Sequence, residues 1–115
     1  MTPSKIDPSA ERRGERRHLC HRHCLVRFDR RHLDGEPGFV GVEGYVSDLS
    51  AGGVGLLLRP AIPVGATLTI VPFGSAAANL PPAEVVPCVQ AGRRWRHGCR
   101  LQRRLDEKEL RGWLM

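Results

Sequence analysis

Apolar and polar residues alternate along most of the chain. Cys24, Val26 and Phe28 take every second position between Leu19 and Phe28, the pattern of a strand with one face on a core. In FVGVEGYVSDL, Val42, Gly44 and Val46 alternate with Glu43, Tyr45 and Ser47, which predicts a second strand. Val54, Leu56 and Leu58 share one side of a third. ATLTIVPF predicts a fourth strand and EVVPCVQ a fifth, irregular at Pro87 because proline brings no amide hydrogen to a ladder. RRWRHGCRLQ predicts a sixth, with Trp95, His97, Cys99 and Leu101 on one side. Turn signals separate them: HLDGEPG, Ala51-Gly52-Gly53, the proline-rich RPAIPVG and the small-residue GSAAANLPP. The tail changes period. LDEKELRGWLM spaces Leu110, Trp113 and Leu114 as a helix does, and Asp106 followed by Glu109 forms a capping box. Short, regularly spaced strands followed by one helix predict a small antiparallel barrel or sandwich. So short a helix is marginal alone, so its apolar stripe is expected to close a mouth or flank of the sheet.

Length and charge narrow this picture. At 115 residues one domain is expected. Residues 1–10, with two prolines and small polar side chains, read as a flexible leader to a domain spanning 11–115. The formal net charge of +6 favours an anionic partner. No apolar run approaches the roughly 18 residues of a membrane span, and the N-terminus lacks the apolar stretch of a secretory signal. A cytoplasmic protein without membrane insertion is the expectation. Its four cysteines are then thiols or metal ligands rather than disulfides.

Two segments carry candidate chemistry. ERRGERR, Glu11 to Arg17, holds Arg-x-x-x-Arg in two overlapping registers, Arg12/Arg16 and Arg13/Arg17. DLSAGG, Asp48 to Gly53, sets a carboxylate, a hydroxyl and two glycines before the third strand. A guanidinium is a planar fork that matches phosphate oxygens or the O6 and N7 edge of guanine. A carboxylate accepts from guanine N1–H and N2–H. Serine can donate to a phosphate or cap the turn. Glycine lets backbone approach a ligand or take positive φ. The set suits a compact anionic guanine nucleotide.

Arg-x-x-x-Arg before a first strand, then Asp-x-Ser-x-x-Gly before the third, resembles the PilZ domain, a family of bacterial receptors for the second messenger cyclic di-GMP. The resemblance covers nearly the whole chain: ERRGERR looks like the arginine switch, YVSDLSAGGVGLLL like the second and third strands, and Arg96 to Leu105 like the last strand. The family usually reads Gly-x-x-Phe there. This chain has Cys99-Arg100-Leu101, a departure that concerns packing. The resemblance implies a mostly β fold, a small antiparallel six-stranded β-barrel with a C-terminal α-helix. It implies no enzyme and no cofactor, but cyclic di-GMP as ligand. The implied ligand-binding residues are Arg12, Arg13, Arg17, Asp48, Ser50, Gly52 and Gly53. The family's Glu-Arg-Arg-x-x-x-Arg aligns on Glu11, Arg12, Arg13 and Arg17, with Arg12/Arg16 as the competing register. Arg12 corresponds to an arginine associated with a stacked ligand dimer. The leader is expected to be mobile until ligand folds it against the barrel and creates a surface for an unknown downstream protein.

Plainer readings stand beside these. Asp48 and Ser50 could cap a chain reversal in which Gly52 and Gly53 take positive φ. The basic run could be a solvated tail, or hold nucleic acid electrostatically. No aromatics are interleaved with it, so no stacking platform for nucleic acid is evident. A PilZ-like module could also act through protein contacts with no nucleotide. Cys20, His21, His23 and Cys24 are possible zinc ligands, but in a strand the cysteines and histidines point to opposite faces. Ser50, His97 and Asp48 could be drawn as a triad, yet no nucleophile elbow surrounds Ser50.

Overall fold

The structure, a computed structural model, describes residues 16–74 and 77–114. The expected leader, Arg12 and Arg13 lie outside the described residues. Six strands follow one another: β1 (His18–Asp29), β2 (Phe39–Leu49), β3 (Gly53–Leu58), β4 (Thr67–Pro72), β5 (Ala83–Ala91) and β6 (Arg94–Leu101), then helix α1 (Glu107–Leu114). All pairings are antiparallel. They close a barrel in the order β1-β2-β3-β6-β5-β4. No described helix is long and apolar enough to cross a membrane.

The alternation read from the sequence is the inside-outside alternation of the barrel wall. Cys24, Val26 and Phe28 of β1 and Val54, Leu56 and Leu58 of β3 are buried. The turn before β2 begins with a short 3-10 segment, Arg30–His32, capped by the Asp29 side chain, which accepts from the Arg31 N–H. The expected irregularity in β5 is a register shift between Val85 and Cys88. Pro87 packs on Gly98, where a Cβ would stand 2.8 Å from the proline ring.

Helix α1 opens on the anticipated capping box. The Glu109 N–H donates to Asp106 Oδ1 at 2.7 Å, and the Asp106 N–H donates to Glu109 Oε1 at 3.0 Å. The Arg103 guanidinium, helped by the Asp106 amide, pulls the Glu109 carboxyl down to about 2. The helix buries Trp113 against the barrel core.

Among the described residues, Ser50 and His97 are polar residues with no exposed surface, and His97 lies inside the barrel. His97 accepts the Ile62 N–H on Nε2 at 2.9 Å and contacts the Trp95 carbonyl through Nδ1 at 3.1 Å. Those partners fix the neutral tautomer with its proton on Nδ1. They also tie the proline-rich loop between β3 and β4 to β6. Burial pushes the His97 pKa down, against an opposing pull from the Trp95 carbonyl. Below its ordinary pKa near 6.5, the unfolded chain takes up a proton that the folded chain refuses, so stability falls as pH drops. The urea midpoint is therefore expected to be lower at pH 5 than at pH 7. His97→Gln, less stable at pH 7, should lose much of that dependence. An equal slope in both proteins would remove His97 as its source.

Candidate functional site

The site is built by an irregularity in β2. Val46 pairs with Leu56 and Asp48 with Gly55, so Ser47 is an extra residue. The bulge puts both Val46 and Leu49 on the core while Asp48 faces out. β1 shifts register opposite it, between Leu19 and Arg22. Leu19, paired with Asp48, is 92% exposed.

Asp48 is 9% exposed because two arginines cover it. Arg17 donates to Oδ1 at 3.0 Å, and Arg96 of β6 donates to Oδ2 at 2.8 Å. Gly55 makes room for this group: a Cβ there would collide with Asp48 Oδ1 and stand 3.1 Å from the Arg96 guanidinium. Arg17 also reaches the turn, 3.7 Å from where a Gly53 Cβ would be. Two guanidinium groups on one carboxylate leave the site net positive, which suits an anion. The hydroxyl of Ser47 is buried beside them and, among the described residues, is the single buried side-chain polar atom without a hydrogen-bond partner.

Ser50 is fully buried and works on the turn itself. Its N–H donates to the Gly53 carbonyl at 2.9 Å, and its Oγ accepts the Gly53 N–H at 3.1 Å. The C-terminal segment pins the same turn, with Leu101 N–H donating to Gly52 O and Leu105 N–H to Ala51 O. The capping role considered for Ser50 is thus present, but the positive φ that the same alternative gave the glycines is not. Neither Gly52 nor Gly53 has positive φ. The turn is held by the Ser50 side chain and the carbonyl contacts, so left-handed backbone is unnecessary. Gly53 matters for space: its Cβ would sit 3.2 Å from the Cys99 carbonyl.

The structure brings Arg17, Asp48, Ser50 and Gly53 together. Arg16 is exposed. The sequence reading missed Arg96. It is far from both motifs in the chain, and the one available signal was its outward position beside His97 in a strand.

The other candidates disperse. His21 stacks on Tyr45 at 4.8 Å, and His23 pairs with Glu43 at 2.9 Å on the outer face. Cys24 faces the core, its thiol pushed up to about 12, chiefly by burial. The described residues hold no cluster of three or more metal-ligating side chains. His97 turns into the barrel, away from the arginines that hold Asp48.

An all-antiparallel closed barrel with a capping helix and an arginine–carboxylate cluster on its rim defines a small binding module. The chain belongs to the PilZ domain family, whose model matches residues 11–114. PilZ domains are binding modules rather than enzymes. Among solved structures, the chain is similar to the PilZ domain of YcgR from Escherichia coli with c-di-GMP, at a TM-score of 0.56 and 19% identity. The match covers 89% of this chain and 86% of that one. At that identity the likeness is one of fold. No curated protein matches significantly.

Proposed function

We propose that this protein is a bacterial, cytoplasmic receptor for cyclic di-GMP. The domain of residues 11–115 would clamp the dinucleotide between the arginines before β1 and the Asp48-to-Gly53 turn. The observation that carries this reading is the Arg17 guanidinium resting on Asp48 beside Gly53. It joins the two sequence motifs in one place and favours the Arg13/Arg17 register. Arg12, Arg13 and Arg17 take the phosphates and guanine O6 and N7. Asp48 accepts from the guanine N1–H and N2–H edge. Ser50, Gly52 and Gly53 set the turn and let the ligand approach. Leu19, exposed across the ladder from Asp48, offers a base an apolar ledge. The buried, unpartnered Ser47 hydroxyl is a polar group of the kind that binding sites leave unmet. The ordered arginine segment then presents a new surface to a downstream protein.

Titration calorimetry with cyclic di-GMP tests this. Micromolar or tighter binding that is absent for GTP, and weaker as salt rises, is expected. No heat and no thermal protection would move the protein to the nucleotide-free interaction modules. Tighter binding of single-stranded oligonucleotides than of the dinucleotide would make it a nucleic-acid barrel.

A further inference from the structure

We infer that Arg96 is the positioning residue of this site: it holds Asp48 by one oxygen, so that the other can be passed from Arg17 to the guanine edge. The inference rests on the cyclic di-GMP reading.

The two arginines on Asp48 are held differently. Arg96 lies in the interior of β6, paired with Leu57 of β3 on one side and Val89 of β5 on the other. Its backbone is fixed by two ladders. Arg17 precedes β1, whose first pairing is His18 with Leu49. Its backbone is outside the barrel wall. They also divide the carboxylate, Arg17 on Oδ1 and Arg96 on Oδ2.

That division has a chemical consequence. A free carboxylate accepts both prongs of one guanidinium, the strongest geometry available to the pair. With Arg96 directing Oδ2 towards β6, Arg17 makes one contact, to Oδ1. It can therefore be released to a phosphate without breaking a bidentate pair. When it leaves, Oδ1 is free to accept from guanine, while Arg96 still fixes the direction of the carboxylate. Without Arg96, Asp48 can turn both oxygens on Arg17 and retain the arginine that the ligand requires. Gly55 supports this geometry, because any side chain there would push the carboxylate off its line.

The test compares the full chain with Arg96→Ala and Arg96→Lys. Each is titrated with cyclic di-GMP and with its inosine analogue, which keeps N1–H and lacks the 2-amino group. Arg96→Ala is expected to weaken cyclic di-GMP binding about tenfold or more. It should also shrink the preference for guanine over hypoxanthine, because an untethered Asp48 no longer meets the 2-amino group squarely. Arg96→Lys, which restores a charged donor, should recover part of both. Thermal melting should change little, since the Arg96 side chain is half-exposed and Arg17 still covers Asp48. Unchanged affinity and an unchanged guanine preference in Arg96→Ala would overturn the inference and leave the receptor reading intact. Failure of the unaltered chain to bind cyclic di-GMP would overturn both.

Discussion

Arg17→Ala is expected to lower the affinity for cyclic di-GMP by about a hundredfold or more. A hydrogen bond to a charged group contributes roughly 1.5–3 kcal/mol, and a guanidinium fork makes two when it meets a phosphate or the guanine O6/N7 edge. Two such contacts exceed the roughly 2.7 kcal/mol that a hundredfold represents. Arg17→Lys keeps the charge and loses the fork, so it should fall between the two. The fold should not notice either change. Arg17 meets Asp48 with its side chain 37% exposed, and ion pairs of that kind contribute about 0–1 kcal/mol. The comparison is made by calorimetry for binding and by melting for stability. Binding by Arg17→Ala within about threefold of the unaltered protein would take Arg17 out of the site. The Arg12/Arg16 register would then be the one to examine.

The reason for expecting so uneven an outcome lies in where the cluster sits. The barrel core is built from inward positions of all six strands, and none of its apolar members depends on Arg17. Asp48, by contrast, is nearly covered yet outside the core. Its cover is made of arginines that carry their own hydration. Such a group costs little to hold and is easily rearranged, as a receptor site must be.

Much of this was legible in the sequence because a barrel wall writes its inside and outside at alternate residues. Cys24, Val26 and Phe28, or Val54, Leu56 and Leu58, needed no structure to be assigned to the core. The capping box at Asp106 and Glu109 was legible for the same reason: its contacts are three residues apart. What escaped was set by bulges and by strand order. Period-two reading carried through Ser47 puts Leu49 on the outer face. The extra residue reverses that, bringing Leu49 in and turning Asp48 outward. Arg96 meets Asp48 because β3 pairs with both β2 and β6, a neighbourhood that no local pattern specifies. Left-handed glycines belonged to the alternative in which the turn is only a capped reversal. Here the hydroxyl of Ser50 closes the reversal and the glycines provide clearance instead.

Trp113→Ala is expected to destabilise the protein by about 3–5 kcal/mol, the range for removing a large buried aromatic. That is a large part of the roughly 5–15 kcal/mol that holds a domain folded. Trp113 is 2% exposed and joins the barrel core. Its indole N–H donates to the Ala78 carbonyl at 2.8 Å, tying the segment between β4 and β5 to the helix. Its own carbonyl accepts from Arg22 Nε at 2.9 Å, and the Arg22 guanidinium lies 5.8 Å from the ring centre. Loss of the ring therefore loosens α1, the loop before β5 and the first half of β1 together. A helix of eight residues has little stability of its own to fall back on. Trp113→Phe separates the contributions: it keeps most of the apolar volume and loses the indole donor, for about 1 kcal/mol plus incomplete filling. Urea unfolding reads both. The strand that follows the arginine segment leans on this helix, so Trp113→Ala should also weaken ligand binding, though by less than Arg17→Ala does. A loss below about 1 kcal/mol in Trp113→Ala would mean that the barrel holds without its helix, and that the first half of β1 takes its order from β2 alone.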